Sequence, residues 1–76
     1  MDIREISYII AIADKQSITA AAASLFISQP ALSQALRRME AEAGYKLFVR
    51  SGNMTVPTEA GRLLVERGRL ILNARD

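Results

Sequence analysis

The 76-residue chain has no cysteine, no histidine and no tryptophan, and only two prolines. Without thiols or imidazoles, disulfides and zinc sites built on those ligands are excluded, and with them most metal chemistry. A phosphate-cradling glycine loop is also lacking, and the acidic residues are scattered without a pairing pattern, so an enzyme has little to stand on. No metal or cofactor is expected. Long apolar runs are missing too: Ile6 to Ala13 falls far short of the roughly 20 residues a membrane helix needs. Gln16 to Leu36 carries no ionisable side chain, yet Gln16, Thr19, Ser24, Ser28, Gln29, Pro30 and Ser33 make it too polar to enter lipid. No signal-peptide pattern opens the chain, and the expected compartment is the cytoplasm. Charge of one sign is scarce: 10 Lys or Arg against 8 Asp or Glu leave +2. A polyanionic partner must therefore be argued from where the charges sit.

What remains is the composition of a folded domain, 50% hydrophobic and 24% charged. The length suits one modest core, near the size where stability is marginal, so a second chain is expected to share the burden.

The stretch Ser17 to Met39 organises the rest: a short apolar helix, a break, and a second helix opening Gln29-Pro30. Ahead of it, Asp2 to Asp14 repeats Ile3, Ile6, Ile9, Ile10 and Ala13 at helical spacing, with Asp2 as a cap. Tyr8 and Ile12 fall off that stripe, which leaves either a broadly buried helix or a second apolar face for a partner. Ser17 then caps a helix to about Leu25, whose alanines Ala20 to Ala23 give it helix propensity and a thin profile. Ala22, Leu25, Ile27, Leu32 and Leu36 form the inward set expected where two helices cross at about 90 to 120° around a tight turn. Such turns often contain glycine, whereas this one holds Phe26 and Ile27. Ile27 is expected in the core, and Phe26 is open between core and surface.

Ser28 is the next cap, and Pro30 suits a first helical turn, where its missing N–H has no partner to lose. The buried stripe of this third helix reads Leu32, Leu36, Met39 and Ala43, and the opposite face Pro30, Ser33, Gln34, Arg37, Arg38 and Ala41. Gly44 ends it. Leu47 to Arg50 and Met54 to Val56 then read as short strands around Ser51-Gly52-Asn53, a hairpin turn in which Gly52 and Asn53 tolerate positive φ. A two-stranded hairpin is marginal alone, so it must lean on the helices through Leu47 and Phe48. Pro57 stops the second strand and Thr58 caps a last helix. Leu63, Leu64, Val65, Leu70, Ile71 and Leu72 occupy more than one stripe of it. Gly61 and Gly68 lie in its interior, where glycine costs about 1 kcal/mol against alanine, so a close backbone approach is expected at one of them. Asn73 to Asp76 gives no stop signal, which suggests that the helix continues past this chain.

The predicted fold class is thus mainly α: three helices and a short two-stranded wing over residues 1–57, a winged helix-turn-helix, followed by a linker or dimerisation helix over 58–76.

In order and spacing, several stretches together resemble the amino-terminal DNA-binding domain of the LysR-type transcriptional regulators. They are Ser17-Ile18-Thr19 with Ala21-Ala22, Ser28-Gln29-Pro30-Ala31-Leu32-Ser33, Glu40, Gly44, Leu47 to Arg50, and Thr58-Glu59-Ala60-Gly61. The resemblance implies a bacterial regulator that binds a double-stranded DNA operator and dimerises through the helix from Thr58 onward, often into tetramers. It also implies that a small-molecule effector acts only through a further domain that this chain does not contain. Family residues matching Gln29, Pro30, Ser33 and Gln34 face the major groove, while the wing reaches the adjacent minor groove or backbone. Members commonly carry arginine where Ala20 and Gln34 stand here, and often a basic residue at the wing tip, where this chain has Asn53.

The residues themselves suit that task. Glutamine pairs bidentately with adenine N6 and N7, and apolar surface such as Pro30 meets the thymine methyl. Gln29 and Gln34 lie near the helix end that enters the groove; a solvated polar face is the competing reading. Ser28 serves as a cap, as a hydroxyl presented with the helix N-terminus to a phosphate, or as both. With no charge between Gln16 and Leu36, phosphate affinity falls to Arg37, Arg38, Lys46 and Arg50. For Arg50, an intramolecular carboxylate is the alternative partner. Arg62, Arg67, Arg69 and Arg75 are expected on a solvated face or dimer rim. A protein-interaction module is the serious rival function, and exposure of Gln29 discriminates between the two.

Overall fold

The computed structural model describes residues 1–73. Its elements run α1 (Ile3–Lys15), α2 (Ile18–Leu25), α3 (Gln29–Ala43), β1 (Phe48–Ser51), β2 (Met54–Pro57) and α4 (Glu59–Asn73). Arg75 and the run-out beyond Asn73 lie outside the described residues.

Local chemistry sets the helix starts. Asp2 and Glu5 form a reciprocal capping box on α1, the Ser17 hydroxyl accepts from the Ala20 N–H at 3.0 Å, and that of Ser28 from the Ala31 N–H at 3.2 Å. At α4 the Thr58 hydroxyl accepts from the Gly61 N–H at 3.1 Å. Gln16, Phe26 and Gly44 close α1, α2 and α3 in the left-handed conformation, at φ 56, 59 and 86°.

The core is one cluster made by all three helices of the motif, the wing and α4. Ile12 belongs to its centre: it is fully buried with Ile9, while Ile3 is 45% exposed, contrary to the stripe read from the sequence. The reason is that α1 is covered on more than one side. Ile6 and Ile10 meet α4 at Gly68, which leaves the arc of Ile9 and Ile12 for the interior. On α3 the buried set is Leu32, Ala35, Leu36 and Met39. Ala43 is exposed, because the core ends a turn earlier, where Glu40 takes over the contact with the wing.

β1 and β2 are antiparallel, pairing Phe48 with Pro57 and Ser51 with Met54, so Ser51 is the last residue of β1 and only Gly52-Asn53 turn. Gly52 alone of that pair has positive φ, +62°, as a type II′ hairpin asks of its first central residue. Pro57 closes β2 from within it. The wing rests on the helices through buried Leu47 and Phe48, as expected, and also through Thr55, whose N–H donates to the Gln16 carbonyl at 2.9 Å.

Both interior glycines of α4 are close approaches. A Cβ on Gly61 would overlap the Leu47 carbonyl oxygen, and one on Gly68 would stand 2.8 Å from the Ile6 Cγ2. Val65 is buried, whereas Leu63, Leu70 and Ile71 stay exposed. Arg69 bonds Asp14 across the α1–α4 contact, which holds its guanidinium pKa above the usual value. Among the described residues no helix is long and apolar enough to cross a membrane, and no acidic cluster could hold a metal ion.

Candidate nucleic-acid interface

The exposed face of α3 begins at its capped N-terminus. Gln29, Pro30, Gln34 and Arg37 are exposed and Ser33 half-buried, and the spacing of Pro30, Ser33, Gln34 and Arg37 places them along one face. Ser28 is a cap in fact, its hydroxyl accepting from Ala31. Gln29 is tied down within the helix: its Nε2 donates to the Ser33 hydroxyl at 2.6 Å. The face is therefore an ordered set of amide, hydroxyl and pyrrolidine groups with one guanidinium behind them.

The two arginines that follow each other on α3 differ. Arg37 makes no ion pair among the described residues, whereas Arg38 donates to Glu5 at 3.1 Å. Glu5 is the same carboxylate that closes the capping box of α1, and its side chain is only 13% exposed. Arg38 thus fastens α3 to the start of α1, an engagement the sequence reading did not include. Arg50, on the wing, has no carboxylate partner among the described residues, and Asn53 is exposed at the wing tip. Lys46 approaches Glu40 at 3.8 Å.

Glu40 carries more than its place in the sequence resemblance suggested. Its Oε2 accepts from the backbone N–H of Leu47 at 2.7 Å and of Phe48 at 3.3 Å, with the side chain 10% exposed. One carboxylate thereby fixes the wing to α3. The signal in the sequence is an acidic residue directly after buried Met39, on the side of the helix toward which the chain returns. Phe26 resolves outward: its ring is 95% exposed in the turn between α2 and α3. Ile27 and Leu25 pack against the core beside it.

These features agree with what the chain is similar to. Residues 3–62 match the family described as "Bacterial regulatory helix-turn-helix protein, lysR family". Over 76 residues the chain is 43% identical to the HTH-type transcriptional regulator YcgK of Bacillus subtilis (strain 168), covering all of this chain and 24% of that protein. It is 39% identical over 72 residues to the DNA-binding transcriptional dual regulator OxyR of Escherichia coli (strain K12), covering 95% of this chain and 24% of OxyR. The chain therefore spans about a quarter of the length of these relatives. Among solved structures, the CbnR_DBD–DNA complex matches with a TM-score of 0.88 at 35% identity over 99% of this chain and 86% of that one. The BenM_DBD/benA site 1 DNA complex matches with a TM-score of 0.92 at 32% identity over 100% and 85%. The fold is a winged helix-turn-helix with an added carboxy-terminal helix. This chain belongs to the LysR family of bacterial regulatory helix-turn-helix proteins.

Proposed function

We propose that this chain binds double-stranded DNA sequence-specifically, as the DNA-binding part of a LysR-type transcriptional regulator in the cytoplasm. The observation that carries the reading is the exposed face of α3, Gln29, Pro30, Ser33, Gln34 and Arg37, on a fold shared with two DNA complexes. An adaptor would not need Gln29 outward, and a DNA reader does. The amino end of α3 enters the major groove, where Gln29 and Gln34 meet base edges, Pro30 meets thymine methyls, and Ser28 with its helix N-terminus meets a phosphate. The wing lies on the adjacent minor groove or backbone, with Arg50 on a phosphate and Asn53 at its tip. Arg37 joins it, while Arg38 contributes less, since Glu5 already holds it.

Residues 1–57 form the reading unit, and the segment from residue 58 onward, with α4, the linker through which two chains pair. The outward Leu63, Leu70 and Ile71 supply apolar surface for that contact. A two-fold dimer then sets its reading helices about 34–36 Å apart, or a multiple of that. Tetramers, and any effector, belong to the rest of a longer protein.

Selection from a random duplex pool with this chain tests the reading: enrichment of a symmetric site is expected, and an unenriched pool contradicts it. In the same assay Gln29→Ala relaxes preference at one base position, by about 1–3 kcal/mol, whereas Arg50→Ala weakens all sequences alike.

A further inference from the structure

Gln29 and Ser33 sit one helical turn apart and are joined by a bond from Nε2 to Oγ of 2.6 Å. We infer that Ser33 is a positioning residue that makes Gln29 selective for adenine over guanine, an inference that rests on the DNA-reading role of Gln29. A carboxamide has two N–H donors and one acceptor oxygen. Left to swivel, it can offer its acceptor and one donor to adenine, or turn both donors toward the O6 and N7 acceptors of guanine. With one N–H committed to Ser33, what remains is a single N–H and the carbonyl oxygen. That pair matches N7 and N6–H of adenine and leaves one guanine acceptor facing an oxygen. Ser33 itself is half-buried, and its hydroxyl accepts from Gln29 at the exposed surface of the helix. The exposed surroundings of Gln29 provide no other side chain that bonds it among the described residues.

The test uses the 76-residue chain, its Ser33→Ala, Ser33→Thr and Gln29→Ala variants and the double variant, on a selected operator and its adenine-to-guanine replacement at the position Gln29 reads. Loss of one bidentate match is worth roughly 5- to 150-fold. Ser33→Ala is expected to lower the adenine-to-guanine ratio at least about fivefold. Ser33→Thr, which keeps the hydroxyl, restores it. In the Gln29→Ala background, removing Ser33 should change the ratio no further. An unchanged ratio in Ser33→Ala, with a lowered one in Gln29→Ala, overturns the positioning role and spares the reading role. A ratio unaffected by Gln29→Ala overturns both, and an additive double variant would show that Ser33 touches a base itself, which also overturns the inference.

Discussion

A side chain on Gly61 would collide with the carbonyl of Leu47: a Cβ there overlaps the oxygen and stands 2.9 Å from the carbonyl carbon. The same carbonyl accepts from the Thr58 N–H at 3.0 Å, and the Thr58 hydroxyl donates to the Lys46 carbonyl at 2.8 Å. The start of α4 and the entry to the wing are thus seated backbone on backbone. This contact fixes where the wing stands relative to the helices.

Gly61→Ala is therefore expected to destabilise by about 1–3 kcal/mol despite the better helix propensity of alanine, because backbone cannot move aside as a side chain can. Gly68→Ala meets the branch methyl of Ile6 at 2.8 Å, with Ile10 behind it at 3.5 Å; a β-branched side chain turns aside less freely than an unbranched one but more freely than backbone, so the loss is expected to be smaller than at Gly61. Urea unfolding of the two variants checks the contrast. Equal losses would mean that the Leu47 contact is relieved as easily as the Ile6 one.

Glu40→Ala removes the acceptor of two backbone N–H groups, at Leu47 and Phe48. Both lie in buried residues, so the expected loss is about 1–3 kcal/mol, with faster amide hydrogen exchange at those two positions. If exchange there stays at the parent rate, the carboxylate does not hold the wing.

Salt dependence should separate the arginines. Each phosphate neutralised contributes about −0.9 to the slope of log affinity against log salt. Arg37→Ala and Arg50→Ala are each expected to flatten that slope by about one unit, since neither has an ion pair among the described residues. Arg38→Ala should leave the slope nearly unchanged and cost at most about 1 kcal/mol of stability, through its half-exposed pair with Glu5. The whole chain, at net charge +2, should show a shallower slope than a more basic relative. A full unit lost in Arg38→Ala would place that side chain on a phosphate instead.

Phe26 holds φ at 59° with its ring 95% exposed, so its side chain gains little burial for an unfavourable backbone conformation. Phe26→Gly should then raise stability by about 0.5–1 kcal/mol, the left-handed penalty outweighing the added freedom of the unfolded chain. A lowered melting temperature would show that the ring is held by contacts stronger than its exposure implies.

Much of this architecture was legible in the chain itself. Asp2, Ser17, Ser28 and Thr58 start the helices and Gly44 ends one, because a cap acts on backbone groups only a few residues away. Pro30 and Gln34 of α3 were likewise placed outward by helical spacing alone, whereas the exposure of Gln29 came from the structure. Turn composition located the wing to within a residue, and the pairing of Ser51 with Met54 corrected its tip.

Tertiary structure decided what depends on partners far along the chain. Ile12 became core and Ala43 surface because burial is set by the elements packed around a helix, not by its own stripe. Arg38 found Glu5, 33 residues away, and Glu40 found the amides of the incoming wing. Gly61 acquired its meaning from a carbonyl on another element. Sequence periodicity fixes which residues share a face, since that follows from backbone geometry. Which face is covered, and which charges remain open to a phosphate, is fixed only once the chain has folded back on itself.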